Sequence, residues 1–296
     1  MSEPAGGANR RHVSEPLLET AGLTVAYGGL RANDRVDLAV PDGKLVGLIG
    51  PNGAGKTTLI DGITGFTKLT EGSVRFDGQD ITDLGTHERA RLGLSRTWQS
   101  LELFEDITIR DNLLVAATPR KWWTFLADIV HPNRFGSLAE QVDWALDQVG
   151  LGDFGDKYPG ELPHGHRKLI GVARALVARP KLVLLDEPAA GLDSTESHEL
   201  GRQLRTLLDV GITVFLIDHD MGLVLSICDY LYVLDFGKII AEGTPAEIRA
   251  NPVVVTAYLG ESAGDAAQQG RDPIAATHDA IEEAIEEHGD HGAATS

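Results

Sequence analysis

The strongest structural signal in this sequence is the stretch Gly50-Pro51-Asn52-Gly53-Ala54-Gly55-Lys56-Thr57-Thr58. The stretch matches the phosphate-loop pattern G-x-x-x-x-G-K-[ST], and it lies between an apolar run typical of a strand, Lys44–Ile49, and a helical segment that begins at Lys56. Its glycines let the loop curl so that backbone N–H groups and the helix N-terminus face an anion. We expect Lys56 to reach the β- and γ-phosphates and the Thr57 hydroxyl to ligate Mg²⁺. A nucleoside triphosphate site is therefore predicted, rather than a glycine-rich turn that binds nothing.

A second motif is the run Leu182–Pro188, in which four aliphatic residues are followed by two adjacent carboxylates. Because a strand sends alternate side chains to opposite faces, Asp186 and Glu187 can have different functions. We expect Asp186 to hold Mg²⁺ and Glu187 to act as general base toward the water that attacks the γ-phosphate. Two solvated acids at a strand end would be the simpler interpretation of this run alone. The phosphate loop in the same chain favours the catalytic one.

The hydrophobic pattern predicts an α/β fold. The predicted strands are Leu23–Tyr27, Val36–Val40, Lys44–Ile49, Ser73–Phe76, Lys181–Leu185, Thr213–Ile217 and a hairpin of Tyr230–Leu234 with Lys238–Ala241. The predicted helices begin at Lys56 and Pro245 and cover Leu138–Val149, Arg167–Ala178 and Ser194–Leu208. Alternation of strands and helices is typical of a mostly parallel core sheet. Between Ile109 and Val149 the pattern is helical without strands, which indicates a helical lobe inserted into the sheet domain.

Composition narrows the class of protein. The chain has 296 residues and a formal net charge of −18, which argues against nonspecific binding to nucleic acid or to anionic membranes. The acidity is uneven, since residues 261–296 hold nine acidic residues against one arginine. A single cysteine fits a reducing compartment, and no apolar run reaches the roughly 18 to 20 residues of a membrane span. We therefore expect a cytoplasmic protein that acts at a membrane only through partners.

Taken together, these motifs resemble the nucleotide-binding subunit of an ABC transporter over residues 17–260. The resemblance implies a P-loop NTPase of ABC type, with a mostly parallel core sheet and an N-terminal antiparallel β subdomain. It also implies a helical subdomain inserted at about residues 100–165. Residues 1–16 and the acidic tail 261–296 lie outside the resemblance and are predicted to be disordered.

The resemblance implies roles for four further residues. Tyr27 would stack on adenine, and Gln99, in the sequence RTWQ, would touch Mg²⁺ and the attacking water. His219, in FLIDHD, would contact the γ-phosphate, and Asp193, in AGLD, would reach a partner subunit. A strand-end tyrosine, a surface glutamine and a loop histidine are the unremarkable alternatives.

The family's signature, usually L-S-G-G-Q, departs from the pattern here. The matching residues are Leu162-Pro163-His164-Gly165-His166, of which only Leu162 and Gly165 agree. The resemblance implies that Gly165 aims a backbone N–H at a γ-phosphate bound to the opposite subunit. Pro163 is compatible with a helix start, but the serine hydroxyl is missing, so its hydrogen bond cannot form. The two histidines are either a source of pH dependence or tolerated variants.

Within the family, the sequence most resembles the ATPases of branched-chain amino-acid uptake systems. The similarity lies in YGGLRANDRVDL, KTTLIDGITGFTKLTEGSVRFDGQDIT, RTWQSLELFEDITIRDNLLVA and AYLG at 257–260. It implies ATP and Mg²⁺ as cofactors and a second ABC ATPase subunit, identical or different, as partner. It further implies two membrane permease subunits on the inner face of the cell membrane, and indirectly a solute-binding protein.

Other functions remain open at this point. The transported solute could be urea, a related amide or another compound, because selection belongs to proteins that are not in this chain. A soluble ABC ATPase acting on ribosomes or DNA is disfavoured, since the chain has one cassette and no long heptad run. A GTPase is disfavoured because no N-K-x-D motif occurs.

Overall fold

The structure is a computed structural model that describes residues 16–97, 103–117, 133–254 and 257, without the side chains of residues 133–137. Two sheets and the helices packed on them form the fold. The first sheet has strand order β2-β1-β4-β5 and is antiparallel. Its strands are β1 Leu18–Tyr27, β2 Leu30–Val40, β4 Glu71–Phe76 and β5 Gln79–Asp80.

The second sheet has strand order β10-β9-β3-β8-β7-β6. Its strands are β3 Leu45–Ile49, β6 Leu94–Arg96, β7 Leu182–Asp186, β8 Thr213–Ile217, β9 Tyr230–Asp235 and β10 Lys238–Gly243. All neighbouring pairs are parallel except β9 and β10. The predicted fold class, a mostly parallel core sheet with an antiparallel N-terminal sheet, is confirmed.

The described helices follow the strands in an α/β rhythm. They are α1 Lys56–Thr64, α2 Thr86–Arg91, α3 Ile109–Ala117, α4 Asn133–Gln148, α5 His164–Leu176, α6 Ser194–Asp209, α7 Met221–Ile227 and α8 Pro245–Arg249. Two short 3₁₀ turns, Gly152–Phe154 and Pro159–Glu161, precede α5. No helix within the described ranges is long and apolar enough to cross a membrane.

The parallel sheet separates two hydrophobic cores. In β7, Leu182 and Leu184 face the core shared with α1 and the antiparallel sheet, whereas Val183 and Leu185 face the core shared with α5 and α6. All five residues of β7 are buried. A strand covered on both faces needs apolar residues at every position, which is why this strand is a continuous aliphatic run.

Strands β1 and β2 were predicted too short and β6 was not predicted, because irregularities or short length hid the alternating pattern. β1 begins five residues before the predicted Leu23, because its register shifts between Thr20 and Leu23, where Gly22 adopts φ +59°, and this interrupts the alternation. β2 begins at Leu30, and Arg35 with φ +53° breaks its pattern in the same way. The strand β6 was missed, since three residues carry too little periodicity to be recognised.

The predicted bounds of helix α5, Arg167–Ala178, begin three residues and end two residues too late. It begins at His164, immediately after Pro163, whose fixed φ suits a helix start. It ends at Leu176, and Arg179 with φ +49° turns the chain away toward β7. The acidic tail 261–296 and residues 1–15 lie outside the described residues.

Candidate functional site

The phosphate loop connects β3 to α1 and depends on glycine at two close approaches. A Cβ added at Gly50 would lie 2.1 Å from the backbone oxygen of Leu234. Gly55 has φ +102°, and a Cβ there would lie 2.5 Å from the backbone oxygen of Ala32. No other residue fits these two positions without moving backbone. Gly50 is thus required by the neighbouring strand β9 and Gly55 by β2.

Lys56 points into the curl of this loop. Its ammonium is in a buried side chain and donates to the carbonyls of Gly50, at 2.5 Å, and Pro51, at 3.0 Å. Thr57, in the first turn of α1, is exposed, as are Asn52 and Gly53. A buried cation, a helix N-terminus and curled backbone together form a cradle for a phosphate chain.

At the end of β7 the two carboxylates have different surroundings. Asp186 is 4% exposed, and Arg96 donates to its Oδ2 at 2.9 Å. Burial raises the pKa of the Asp186 carboxyl, and the hydrogen bond from Arg96 opposes this rise. The side chain of Glu187 is 18% exposed. Asp186 and Glu187 therefore differ in burial, and Asp186 is bound by Arg96.

The backbone of Glu187 is strained. Its φ is +47°, a left-handed conformation that is unusual for a residue with a side chain. Its N–H donates to the carbonyl of Ile217 at the end of β8, at 2.7 Å. The neighbouring strand therefore holds the glutamate in a conformation that costs roughly 1–3 kcal/mol, and such strain often occurs at functional positions.

His219 follows β8 and lies beside Glu187. Its Nδ1 is 3.9 Å from Glu187 Oε2, and its side chain is 57% exposed. The preceding residue, Asp218, is fully buried and accepts hydrogen bonds from the N–H groups of Ala189, His219 and Asp220. Burial raises the pKa of the Asp218 carboxyl. Asp218 thus ties the histidine loop to the segment that follows Glu187.

Parallel pairing explains why these residues meet. β3, β8 and β7 are adjacent and parallel, so their carboxyl ends lie at one edge of the sheet. The phosphate loop follows β3, His219 follows β8, and Glu187 follows β7. Ligand sites of open α/β sheets lie at this edge. Side chains separated by more than a hundred residues are brought together there.

The signature stretch contacts its own chain. Leu162 is buried, and the Gly165 N–H donates to Glu196 Oε1 at 3.2 Å. Asp193 caps α6 by accepting from the Glu196 N–H at 2.8 Å, and Glu196 Oε2 accepts from the Asp193 N–H at 3.4 Å. Glu196 therefore links the signature glycine to the residue predicted to reach a partner.

The remaining predicted residues are placed as follows. Tyr27 ends β1 and is 57% exposed, so its ring is accessible for stacking. Gln99 lies outside the described residues. His166 packs its ring against Phe154, at 5.6 Å between centroids, which favours a packing role for this histidine.

Sequence reasoning missed three residues of this region: Arg96, Asp218 and Glu196. Arg96 and Asp218 lie within the quoted motifs RTWQ and FLIDHD. The neighbouring sequence, however, does not distinguish them from charged residues exposed to solvent. Glu196 has a detectable signal, because Asp193 followed three residues later by glutamate is a capping box. That pattern predicts the helix start but not the contact with Gly165.

Comparison with known proteins agrees with this geometry. The family model described as ABC transporter matches residues 33–190, and the model described as branched-chain amino acid ATP-binding cassette transporter matches residues 238–264. The high-affinity branched-chain amino acid transport ATP-binding protein BraF of Pseudomonas aeruginosa is 42% identical over 255 residues, covering 84% of this chain and 100% of the relative. The corresponding protein LivG of Escherichia coli is 39% identical with the same coverage.

A solved structure gives the same result in three dimensions. The ADP conformation of an ATP-binding cassette of an ABC transporter superposes with a TM-score of 0.74 at 32% identity, over 83% of this chain and 100% of that chain. Sequence relatives and fold agree along the length of the cassette. The chain therefore belongs to the ABC transporter family, among its ATP-binding cassettes of the branched-chain amino acid group.

Proposed function

We propose that this chain is the ATPase subunit that energises branched-chain amino-acid uptake through a permease made of separate polypeptides. The observation that carries the proposal is the convergence of Lys56, Asp186, Glu187 and His219 at one edge of the parallel sheet. The names of the relatives that match over their full length support the choice of solute. The catalytic unit is the domain of residues 17–260, with the helical subdomain inserted at about residues 100–165.

Nucleotide binding is assigned to the phosphate loop and Tyr27. The triphosphate lies along residues 50–58, where Lys56 contributes positive charge and α1 contributes its N-terminal N–H groups. The adenine stacks on the accessible ring of Tyr27, which stands at the end of β1. Binding therefore uses both sheets.

The donor groups at this edge fit Mg²⁺. Within the described residues no three His, Cys, Asp or Glu side chains cluster as a protein-only metal site needs. Mg²⁺ differs from such metals, because it is usually held by one or two carboxylates together with substrate phosphates and water. Thr57, Gln99 and Asp186 would hold it here, and the bound ion would neutralise charge on the β- and γ-phosphates.

Hydrolysis is assigned to Glu187 and His219. Glu187 accepts a proton from the attacking water while the water oxygen bonds to the γ-phosphorus. The bond between the γ-phosphorus and the oxygen that bridges to the β-phosphate breaks, and ADP leaves. His219, 3.9 Å from Glu187, hydrogen-bonds the γ-phosphate and orients it toward that water. The hydrogen bond from the Glu187 N–H to Ile217 holds the base at the end of the sheet.

A second ATPase subunit, identical or different, completes each site. Leu162, Gly165 and Asp193 of one subunit serve the nucleotide held by the other, so two ATP molecules close the dimer and hydrolysis reopens it. The two permease subunits convert this motion into transport, and a solute-binding protein delivers the solute to them. The chain acts in the cytoplasm, on the inner face of the membrane.

Two experiments test the proposal. Purified Glu187→Gln chain is mixed with Mg-ATP, alone and with its candidate sister subunit, and its mass is followed by light scattering. A dimer that depends on ATP is expected, and a persistent monomer in both mixtures contradicts the closure mechanism.

The solute is tested in cells by replacing Lys56 with Ala. We expect uptake of radiolabelled leucine, isoleucine and valine to stop, whereas Lys68→Ala, an exposed lysine outside the loop, leaves uptake unchanged. If all three amino acids still enter while another solute does not, the solute assignment is wrong and the ATPase assignment survives.

A further inference from the structure

One buried guanidinium connects two elements of the proposed magnesium site. Arg96 is the last residue of β6, and its side chain is 7% exposed. Its Nη1 donates to Asp61 Oδ1 at 2.5 Å, and its Nη2 donates to Asp186 Oδ2 at 2.9 Å. Asp61 belongs to α1 and Asp186 to β7, so the planar fork of the guanidinium holds the phosphate-loop helix against the carboxylate strand.

Through Asp61, Arg96 is also connected to the helix that carries a second proposed magnesium ligand, Thr57. Thr57 precedes Asp61 by four residues in α1, so the two side chains lie on the same face of the helix, one turn apart. A movement of Asp61 relative to β7 therefore also moves Thr57 relative to Asp186. Arg96 opposes that movement by binding both aspartates at once.

The residue after Arg96 also binds Asp186. Thr97, the residue after Arg96, accepts a hydrogen bond from the Asp186 N–H through its Oγ1 at 3.2 Å, and its own N–H donates to the carbonyl of Leu184 at 2.9 Å. Both the backbone and the carboxylate of Asp186 are thus bound by adjacent residues of one segment.

We infer that Arg96 is a positioning residue of the magnesium site, which sets the mutual placement of the segments that carry Thr57 and Asp186. This inference rests on the proposed function, because it takes those two residues as ligands. Replacing a residue that hydrogen-bonds to a metal ligand and orients it is expected to lower metal affinity by about 10- to 100-fold. A simple structural ion pair would change stability and leave the metal dependence of binding intact.

Lysine is the informative replacement. Arg96→Lys keeps the positive charge but offers one ammonium in place of a planar fork, so it cannot hold Asp61 and Asp186 in the same geometry. Asp61→Asn tests the other end of the bridge without touching Asp186. Arg205→Lys is the matched control, since Arg205 pairs with Asp229 at 3.0 Å in a more exposed position.

The experiment measures ATP binding by calorimetry in the Glu187→Gln background, once with Mg²⁺ and once with EDTA. We expect Arg96→Lys to reduce the Mg²⁺-dependent gain in ATP affinity by about 10- to 100-fold, with binding in EDTA unchanged within about twofold. Asp61→Asn should shift the same ratio in the same direction by a smaller factor, and Arg205→Lys should not shift it.

An unchanged ratio for Arg96→Lys overturns the inference, and a loss of binding in both conditions does so too, because it shows damage to the cradle rather than to the metal site. If Arg96→Lys does not fold, as judged by circular dichroism, Asp61→Asn decides by the same ratio. If the Glu187→Gln chain itself binds no ATP, the proposed function fails and not this inference alone.

Discussion

The guanidinium of Arg89 closes the carboxyl end of the phosphate-loop helix by donating to the carbonyl of Ile63 at 2.5 Å. The same side chain, which is 2% exposed, also donates to the carbonyls of Gly62, Thr82 and Leu84. The last carbonyls of a helix have no partner within it, and a buried cation at this end also favours the helix dipole. Burial lowers the pKa of Arg89, because desolvation destabilises the charged guanidinium.

Replacing Arg89 with Met should therefore destabilise the fold. Each buried carbonyl left without a donor costs roughly 1–3 kcal/mol, so we expect a loss of about 3 kcal/mol or more in the free energy of unfolding, measured by urea denaturation. Arg75→Met, which removes an exposed arginine bonded to one carbonyl, should stay within about 0.5 kcal/mol. Equal effects of the two substitutions would show that the buried network is not stabilising.

Gly237 should be needed for nucleotide binding although it lies far from the motif in sequence. Its N–H donates to the carbonyl of Ala54 at 2.8 Å, and with φ +75° an added Cβ would lie 2.5 Å from the backbone oxygen of Ala32. Gly237→Ala should lower ATP affinity in a calorimetric titration, because the β9–β10 turn must move away from β2 and this disturbs its hydrogen bond to Ala54 of the phosphate loop. Gly211→Ala is the control, since φ is +79° there but no atom lies within 4 Å of the added Cβ.

Gly237→Ala and Gly211→Ala should also differ in their free energy of unfolding. Both alanine variants carry the left-handed strain of about 1–2 kcal/mol, and only Gly237→Ala adds a backbone clash, worth typically 1–3 kcal/mol more. Similar ATP affinity in the two variants would contradict the buttressing role of the β9–β10 turn.

Cys228 should be almost unreactive in the folded chain. It is the only cysteine in the sequence, it is 7% exposed, and burial raises the pKa of its thiol above the ordinary value of 9.0. Iodoacetamide at pH 8 should label native protein at least about 100-fold more slowly than the urea-unfolded chain, because only opened molecules offer a thiolate. Comparable rates would place the thiol at the surface.

The raised pKa of the Cys228 thiol also predicts that the free energy of unfolding falls as pH rises. Above pH 9 the unfolded chain loses the thiol proton while the folded chain retains it, so this group lowers stability as pH rises. Cys228→Ala should make the decline in the free energy of unfolding above pH 9 less steep, by up to about 1.4 kcal/mol per pH unit. An unchanged slope would mean that the thiol does not titrate on unfolding.

Glu196 should oppose dimer closure under the proposed mechanism. Its carboxylate accepts from the Gly165 N–H, the donor predicted to reach the partner's γ-phosphate, so two anions compete for one group. In the Glu187→Gln background, Glu196→Gln should lower the ATP concentration for half-maximal dimer formation roughly fivefold, as a like-charge repulsion of about 1 kcal/mol requires. Light scattering gives the readout.

Glu199→Gln makes the same charge change at an exposed position of α6 and should leave that concentration unaltered. A higher requirement for ATP in the Glu196 variant would show that the carboxylate supports closure rather than opposing it.

Much of the fold could be predicted because its signals are local. The phosphate loop, the buried strand before Asp186 and the hairpin around Phe236 and Gly237 are each recognisable within a dozen residues. The predictions were less complete where a local irregularity hid the period, as at Gly22 in β1, or where an element was very short, as in β6. Pattern reasoning depends on uninterrupted repeats, and bulges remove them.

The sequence alone indicated the family and the fold class. It also predicted which residues would bear the chemistry, from a glycine-rich curl before a helix and paired acids after an aliphatic strand. What holds those residues in place became visible in the tertiary structure. Arg96 meets Asp186 across 90 positions of chain, and Gly165 meets Glu196 across 31. Such contacts depend on the order of the strands in the sheet and on how the helices pack against it. That arrangement is stabilised by packing of the whole core, which no single segment determines.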